Sequence, residues 1–128
     1  MQGENLTITK TAKGKLPSLP FRQMKDAVLG KNYDLSLVFI GDKLSQRLNR
    51  ERREKDKPTN ILSFSLDKTA GEIFINLRLS RKQASDFERE YENFVAFLFI
   101  HGLFHLKGFD HGSRMESKEK EIRKQFGI

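Results

Sequence analysis

Alternation of polar and apolar residues predicts four β-strands along this chain. Residues 5–9 (NLTIT) alternate in the period of a half-buried strand, and residues 33–40 are rich in β-formers. Residues 60–66 (NILSFSL) follow Pro58, and residues 71–77 (GEIFINL) come after only four intervening positions. A short connection between two strand-like runs favours a hairpin, so we expect the last two strands to be neighbours.

Helix signals fill the intervals between these strands. Ser18 has the hydroxyl of an N-cap for a helix that Gly30 would end, and Asp42 is expected to cap a second helix. Ser80 and Gln83 have the spacing of a capping box for a helical segment through residue 90. Strands alternating with helices predict an α/β fold.

A longer apolar segment predicts a helix that is buried on most of its faces. Its main stripe recurs at steps of four and three, and comprises Phe87, Tyr91, Phe94, Leu98, His101 and His105. Further apolar residues cover its other faces, namely Val95, Phe97, Phe99, Ile100, Leu103 and Phe104. A charged helix is expected at residues 114–126. The expected fold is a single α/β (α+β) domain over residues 1–128, with a small mixed four-stranded sheet flanked by helices and this helix at its centre.

All three histidines of the chain fall at one end of that helix, in the segment HGLFHLKGFDH. His101 and His105 are about one helical turn apart, and Gly108 allows the left-handed conformation that would return His111 toward them. Three protein ligands with an open fourth position are typical of catalytic zinc sites. Zinc is the expected ion, although imidazole ligands also suit Ni, Cu and Fe.

Gly102 occupies the position that carries the general base in HExxH metalloproteases. Glycine cannot transfer a proton, so peptide hydrolysis by that route lacks its base. A metal ion can still polarise a phosphoryl oxygen as a Lewis acid. The motif therefore favours phosphodiester chemistry over peptide chemistry.

Composition supports a polyanionic partner. The formal net charge is +7, from 24 Lys and Arg against 17 Asp and Glu, and the sequence pI is about 9.8.

The absence of cysteine excludes disulfides and thiolate ligands. The first twenty residues lack the apolar run of a signal peptide, and residues 94–100 are too few to cross a bilayer. These features predict a soluble cytoplasmic protein with no membrane partner.

Four blocks of the sequence resemble YbeY-type endoribonucleases, the bacterial ribosomal RNA maturation factors. Residues 101–111 resemble the HGxLHLxGYDH signature of that family. Upstream, residues 48–64 (LNRERREKDKPTNILSF) and 71–75 (GEIFI) resemble two further family segments. Met115 and Glu119 match its M…E helix. The blocks occur in the family's order between residues 48 and 122.

The resemblance implies a zinc ion bound by His101, His105 and His111, and an arginine, Arg53, required for RNA cleavage. A guanidinium offers a planar fork of donors that suits phosphate oxygens. Without the family, a solvated helix end would be the preferred interpretation of the basic cluster around Arg53, and the sequence would not single out that residue. The resemblance further implies a substrate near the 3′ end of small-subunit ribosomal RNA, with the ribosomal small subunit as partner.

Asn60 and Ser63 are candidate contacts for the RNA backbone, or else ordinary turn and strand residues. Asp110 is a candidate to orient a histidine ligand, or else a turn aspartate. The chain departs from the family pattern at four positions. Arg52 stands where the family usually has an aromatic residue, Glu54 where glycine is common, Glu72 where aspartate is common and Phe109 where tyrosine is usual.

Together with the metal motif, the resemblance implies a single-strand-specific, metal-dependent endoribonuclease of ribosomal RNA processing. Whether water or the ribose 2′-hydroxyl attacks stays open. Two alternatives remain at this stage: a non-catalytic zinc-binding factor of ribosome assembly, and a metalloprotease with its base elsewhere.

Overall fold

Residues 5–128, the part of the chain described by the computed structural model, form four strands and five α-helices. The strands are β1 (Leu6–Lys10), β2 (Asp34–Ile40), β3 (Ile61–Asp67) and β4 (Ala70–Asn76). The helices are α1 (Phe21–Leu29), α2 (Asp42–Arg53), α3 (Leu77–Gln83), α4 (Tyr91–Lys107) and α5 (Ser113–Phe126), with a 3₁₀ turn at Ala84–Phe87 between α3 and α4. The predicted α/β class is confirmed, with boundaries shifted by one or a few residues.

The sheet has the strand order β1-β2-β4-β3 and is mixed, as predicted. β1 pairs with β2 and β2 with β4 in parallel, whereas β3 and β4 form the expected antiparallel hairpin. β2 lies inside the sheet and buries Leu35, Leu37 and Phe39 completely. β3 is an edge strand, so one of its long sides is free to border a cleft.

α4 is the central helix of the fold, which confirms the sequence prediction. It packs against α1, β3, β4 and α5, and Phe94, Phe99, Ile100 and Leu103 along it have no exposed surface. Gly108 ends α4 in the left-handed conformation, with φ at 103°. Phe87 is the exception to the predicted stripe, because it lies in the 3₁₀ turn before α4 and is half exposed.

Gly102 lets α4 approach the sheet closely. A Cβ atom there would lie 2.9 Å from Ser63 Oγ, 3.0 Å from Ile61 Cδ1 and 3.2 Å from Ile73 Cδ1. These distances are shorter than ordinary van der Waals contacts, so a side chain at this position would require the ends of the Ser63, Ile61 and Ile73 side chains to shift, or α4 to move away from the sheet. The glycine that removes the protease base therefore has a packing function.

Gly102→Ala is expected to destabilise the protein by about 1–3 kcal/mol, because the added methyl group overpacks the contact between α4 and the sheet. Gly41→Ala is the matched control, since a Cβ there would meet its nearest neighbour at 3.9 Å. Urea unfolding of both variants measures the difference. Equal stabilities would contradict the close packing at Gly102.

Two predicted helix caps are wrong. α1 begins at Phe21 rather than just after Ser18, and the Ser18 backbone N–H instead donates to the Glu92 carboxylate, at 2.9 Å. Asp42 is the first residue of α2 and makes no cap hydrogen bond. Its carboxylate instead accepts a hydrogen bond from Asn76 Nδ2 at 2.9 Å.

The capping box at Ser80 and Gln83 is also wrong, because both residues lie within α3. Asn76 is the N-cap, and its side-chain oxygen accepts a hydrogen bond from the Leu79 N–H at 3.1 Å. The Ser80 hydroxyl donates to the Asn76 carbonyl one turn earlier, at 2.7 Å. Sequence spacing identified a helix here but placed its N-cap four residues too late.

Within residues 5–128, no helix combines the length and the apolar character that crossing a bilayer requires.

Candidate metal centre

The three histidines converge at the end of α4. His101 and His105 project from the last turns of the helix, and the turn after Gly108 brings His111 to them. The potential ligand atoms of all three lie within 4.8 Å of one another, and His101 Nε2 lies 3.2 Å from His105 Nε2. Tetrahedral zinc with bonds of about 2.0–2.1 Å places its ligands about 3.3 Å apart. The cluster could therefore hold one metal ion if the His111 ring moved slightly closer to the other two histidines.

Glu119 of α5 contacts the histidine cluster through His101. Both of its carboxylate oxygens lie 3.2 Å from His101 Nδ1, and its side chain is only 8% exposed. Arg123, one turn along α5, places Nη1 3.7 Å from Glu119 Oε1. A carboxylate that accepts the proton on Nδ1 directs the Nε2 lone pair of His101 toward the other two histidines. This arrangement is the one that a metal-ligating histidine requires.

The sequence offered Asp110 as a candidate for this supporting role, with an ordinary turn aspartate as the alternative, whereas the hydrogen bond to His101 comes from Glu119. Asp110 is exposed in the turn between α4 and α5. Glu119 was noticed only as part of the family resemblance. The signal that could have found it is its position one helical turn after Met115, which places an acidic residue on the apolar face of α5.

Glu119→Gln is expected to weaken metal binding by about 10–100-fold, because an amide is a poorer acceptor for the His101 Nδ1 proton. Asp110→Asn is the matched control, since it also changes a carboxylate to an amide beside the histidines. Competition with a chromogenic chelator measures both affinities. A large loss in Asp110→Asn with none in Glu119→Gln would show that Asp110 orients the ligand.

Burial lowers the pKa of His105 below the usual histidine value of 6.5, and the neighbouring His101 and His111 lower it further. Arg53 contributes in the same direction, whereas the Glu119 carboxylate opposes the shift. The structure therefore favours the neutral imidazole at position 105, which is the form that binds a metal.

This pKa shift predicts how the stability of the metal-free protein depends on pH. The unfolded chain takes up a proton at His105 near pH 6.5, while the folded protein resists it. The contribution of His105 is therefore complete above pH 6.5 and is lost as the pH falls toward the lower, folded pKa. Urea unfolding in chelator at several pH values should show a shallower acid-side slope for His105→Asn than for the wild type.

A cleft of about 560 Å³ opens in front of the histidines. Arg53, the last residue of α2, lines it together with His101, His105 and His111. The neighbouring Arg52 points elsewhere, with its guanidinium 4.5 Å above the Phe64 ring. The two adjacent arginines thus diverge, and only Arg53 faces the cleft.

Asn60 and Ser63 also line the cleft, on the side formed by β3. Asn60 Nδ2 donates to Gln83 Oε1 at 2.9 Å, which holds that side chain in place. Ser63 lies beside Gly102, at the base of the cleft. Sequence reasoning missed Thr59 and Ser65, which line the same cleft. Strand alternation could have indicated Ser65, because it shares a face of β3 with Ser63.

Comparison with known proteins identifies the family of the chain. The family model described as "Endoribonuclease YbeY" matches residues 5–127. Endoribonuclease YbeY of Campylobacter jejuni is 38% identical over 103 residues, covering 74% of this chain and 76% of the relative. Its counterpart in Halalkalibacterium halodurans is 34% identical over 109 residues, covering 73% and 69% respectively.

The fold has a solved counterpart as well. The solution structure of a Thermotoga maritima protein superimposes with a TM-score of 0.68 at 23% identity, covering 95% of this chain and 89% of the other. That likeness concerns the fold alone. The family model spans nearly all of the chain, and curated relatives exceed 30% identity over most of it. This chain belongs to the YbeY endoribonuclease family.

Proposed function

We propose that this protein is a zinc-dependent endoribonuclease that cuts single-stranded RNA during ribosomal RNA maturation. The observation that carries the proposal is the cleft itself, which brings a cluster of three histidines and one arginine to the same surface. Neither residue type alone distinguishes an enzyme from a metal-stabilised scaffold. Together they supply a site for a Lewis acid and a guanidinium beside it, two groups that can stabilise the charge developing on a scissile phosphate.

The side chains of the cleft divide the work. His101, His105 and His111 hold the divalent ion, which when bound supplies positive charge and polarises a phosphoryl oxygen. Arg53 donates to the remaining phosphoryl oxygens and stabilises the charge that develops on them. Asn60 and Ser63 position the RNA backbone along β3. Because Gly102 leaves no carboxylate after His101, peptide hydrolysis is disfavoured.

The curated relatives are named endoribonucleases, which supports the same reaction here over the scaffold and protease alternatives. The open cleft and the excess of Lys and Arg suit an unpaired RNA strand. We place the substrate near the 3′ end of small-subunit ribosomal RNA, with the small subunit as partner and the cytoplasm as location. These finer assignments rest on the family resemblance.

The test is RNA cleavage by the purified protein, with single-stranded and duplex RNA of the same sequence. We expect zinc-dependent cleavage of the single strand, its loss in chelator and its return when zinc is restored. His105→Ala, purified in parallel, controls for contaminating nuclease. Cleavage by both proteins, or by neither, would contradict the proposal, and chelator-sensitive cleavage of casein would favour the protease.

A further inference from the structure

α2 presents a basic face to solvent on the side opposite its buried residues. The buried side chains are Ser45, Leu48 and Asn49. At about 100° per residue, Lys43 and Arg47 project on the opposite side. Arg50 shares that side, and all three are exposed. We define Lys43, Arg47 and Arg50 as the basic face of α2.

The row of basic residues continues along α2 to the cleft that the three histidines line, which we call the metal cleft. Arg47, Arg50 and Arg53 follow one another at three-residue intervals, so each is the surface neighbour of the next on the helix. Arg53 lines the metal cleft, whereas Lys43, Arg47 and Arg50 line a second, open groove of about 750 Å³. From Lys43 to Arg53 the row extends about 15 Å along the helix axis.

The cations of the basic face are available to a ligand. Among the described residues, the side chains of Lys43 and Arg47 make no hydrogen bond or ion pair. Arg50 lies 3.3 Å from Asp56, but both side chains are exposed, so salt and solvent weaken the pair. Asp42, the acidic residue beside the groove, is engaged by Asn76 and Arg78.

Acidic residues on the same helix do not cancel this charge. Glu51 and Glu54 are the carboxylates at its exposed end. Between residues 42 and 57 there are seven Lys and Arg against four Asp and Glu. Lys13, from the segment after β1, adds a further cation to the groove. The local charge is therefore positive along the whole row.

We propose that the basic face of α2 binds the phosphates of the single-stranded RNA segment that continues beyond the scissile position. The inference rests on the proposed function, because that function places an RNA strand in the adjoining cleft. Continuity with the cleft selects a nucleic acid over an acidic protein, since the same strand must leave the cleft at one side. Phosphate contacts by Lys and Arg fix the path of the strand without reading its sequence.

The test compares two double variants that remove equal charge. Lys43→Ala/Arg47→Ala alters the basic face, and Lys120→Ala/Lys124→Ala is the control. The control pair is also exposed, is also spaced by four residues, and lies on α5 away from the cleft. Fluorescence anisotropy measures binding of unstructured RNAs of about 4 and about 12 nucleotides over a range of salt concentrations. Gels of the recovered RNA verify that it stayed intact.

For the longer RNA we expect the Lys43→Ala/Arg47→Ala variant to bind roughly 3–10-fold more weakly. Its plot of log affinity against log salt should be shallower by about 1.4, since each phosphate contact on a single strand contributes about 0.7. The short RNA should bind it like the wild type. The control variant should match the wild type on both RNAs. Equal losses in both double variants, or no change in the salt slope, would overturn the proposal.

Cleavage assays on the same preparations separate this inference from the proposed function. If the wild type does not cut RNA but the salt slopes differ as expected, the nuclease assignment is wrong and the binding surface stands. If cutting depends on Arg53 while the salt slopes coincide, the surface is wrong and the nuclease stands.

Discussion

Arg53→Ala is expected to lower the single-turnover rate of RNA cleavage by about 100- to 1,000-fold, the usual effect of removing one transition-state donor. Arg53 lines the cleft with the three histidines but has no structural partner among the described residues that it would leave unpaired. Metal content and the free energy of unfolding should therefore stay at wild-type values. Elemental analysis and urea unfolding check both.

Arg52→Ala is the matched control for this prediction. Arg52 lies over the Phe64 ring and 3.6 Å from Glu72 Oε1, on the other side of β3 from the cleft. Removing it deletes the same charge one residue away and should change cleavage several-fold at most. Arg53→Lys keeps the charge but not the planar fork, so it should restore only part of the rate. Equal losses at both arginines would indicate general electrostatic attraction rather than a catalytic contact.

The divergence of these two arginines explains what the sequence could indicate and what it could not. The family resemblance singled out Arg53, while the altered neighbours Arg52 and Glu54 left its placement open. Glu54 adopts the left-handed conformation, with φ at 56°, and ends α2 directly after Arg53. Leu48 is buried and marks the inner face of α2. Arg52 is four residues later, so it lies on the same face, and its guanidinium lies over the Phe64 ring. Helical phase alone would have separated the two arginines.

Local periodicity was sufficient for most of the fold. The steps of three and four through α4, together with Gly108, predicted both the central helix and the convergence of the histidines. Both features depend on residues close in sequence, where backbone geometry leaves few alternatives. The structure shows that the three histidines lie close together, as that spacing predicted. The roles of the individual side chains stay predictions.

Helix starts and supporting contacts were not predictable in the same way, because they depend on residues distant in sequence. Asp42 has the chemistry of an N-cap, but its carboxylate is engaged by Asn76 of β4. Glu119 reaches His101 across 18 positions of sequence. In each case the local sequence pattern predicted one hydrogen-bond arrangement, and the structure has a contact between distant residues instead.

The cleft lies where an edge strand meets the end of a buried helix. Among residues 5–128 no strand pairs with the outer side of β3, and Ser63 and Ser65 on this strand line the cleft. Gly102 brings α4 close enough to β3 for the histidines to share that space. Because His101 and His105 lie on α4 and Glu119 on α5, regular elements hold two of the three ligand positions before any ion binds, whereas His111 lies in the segment between the two helices.

His105→Ala is expected to abolish stoichiometric zinc binding, with a loss greater than the roughly 10–100-fold seen on removing an outer partner. His105 is the middle ligand, 3.2 Å from His101 Nε2, so its loss leaves two imidazoles that are farther apart in the sequence and on separate segments. Elemental analysis of the variant after gel filtration measures the bound ion. His111→Ala should lose zinc as well, since every pair of ligand atoms in the cluster lies within 4.8 Å.

Stability provides a second measure that does not depend on activity. A ligand present at about 100 times its dissociation constant stabilises the folded state by about 2.7 kcal/mol. Wild-type protein should gain about this amount in urea unfolding at such a zinc concentration, whereas His105→Ala should gain almost nothing. Comparing each protein with and without chelator separates this effect from the cavity that the substitution leaves. An unchanged zinc-dependent gain in His105→Ala would mean that the histidines do not form a metal site, and the proposed role of the cleft would fail with it.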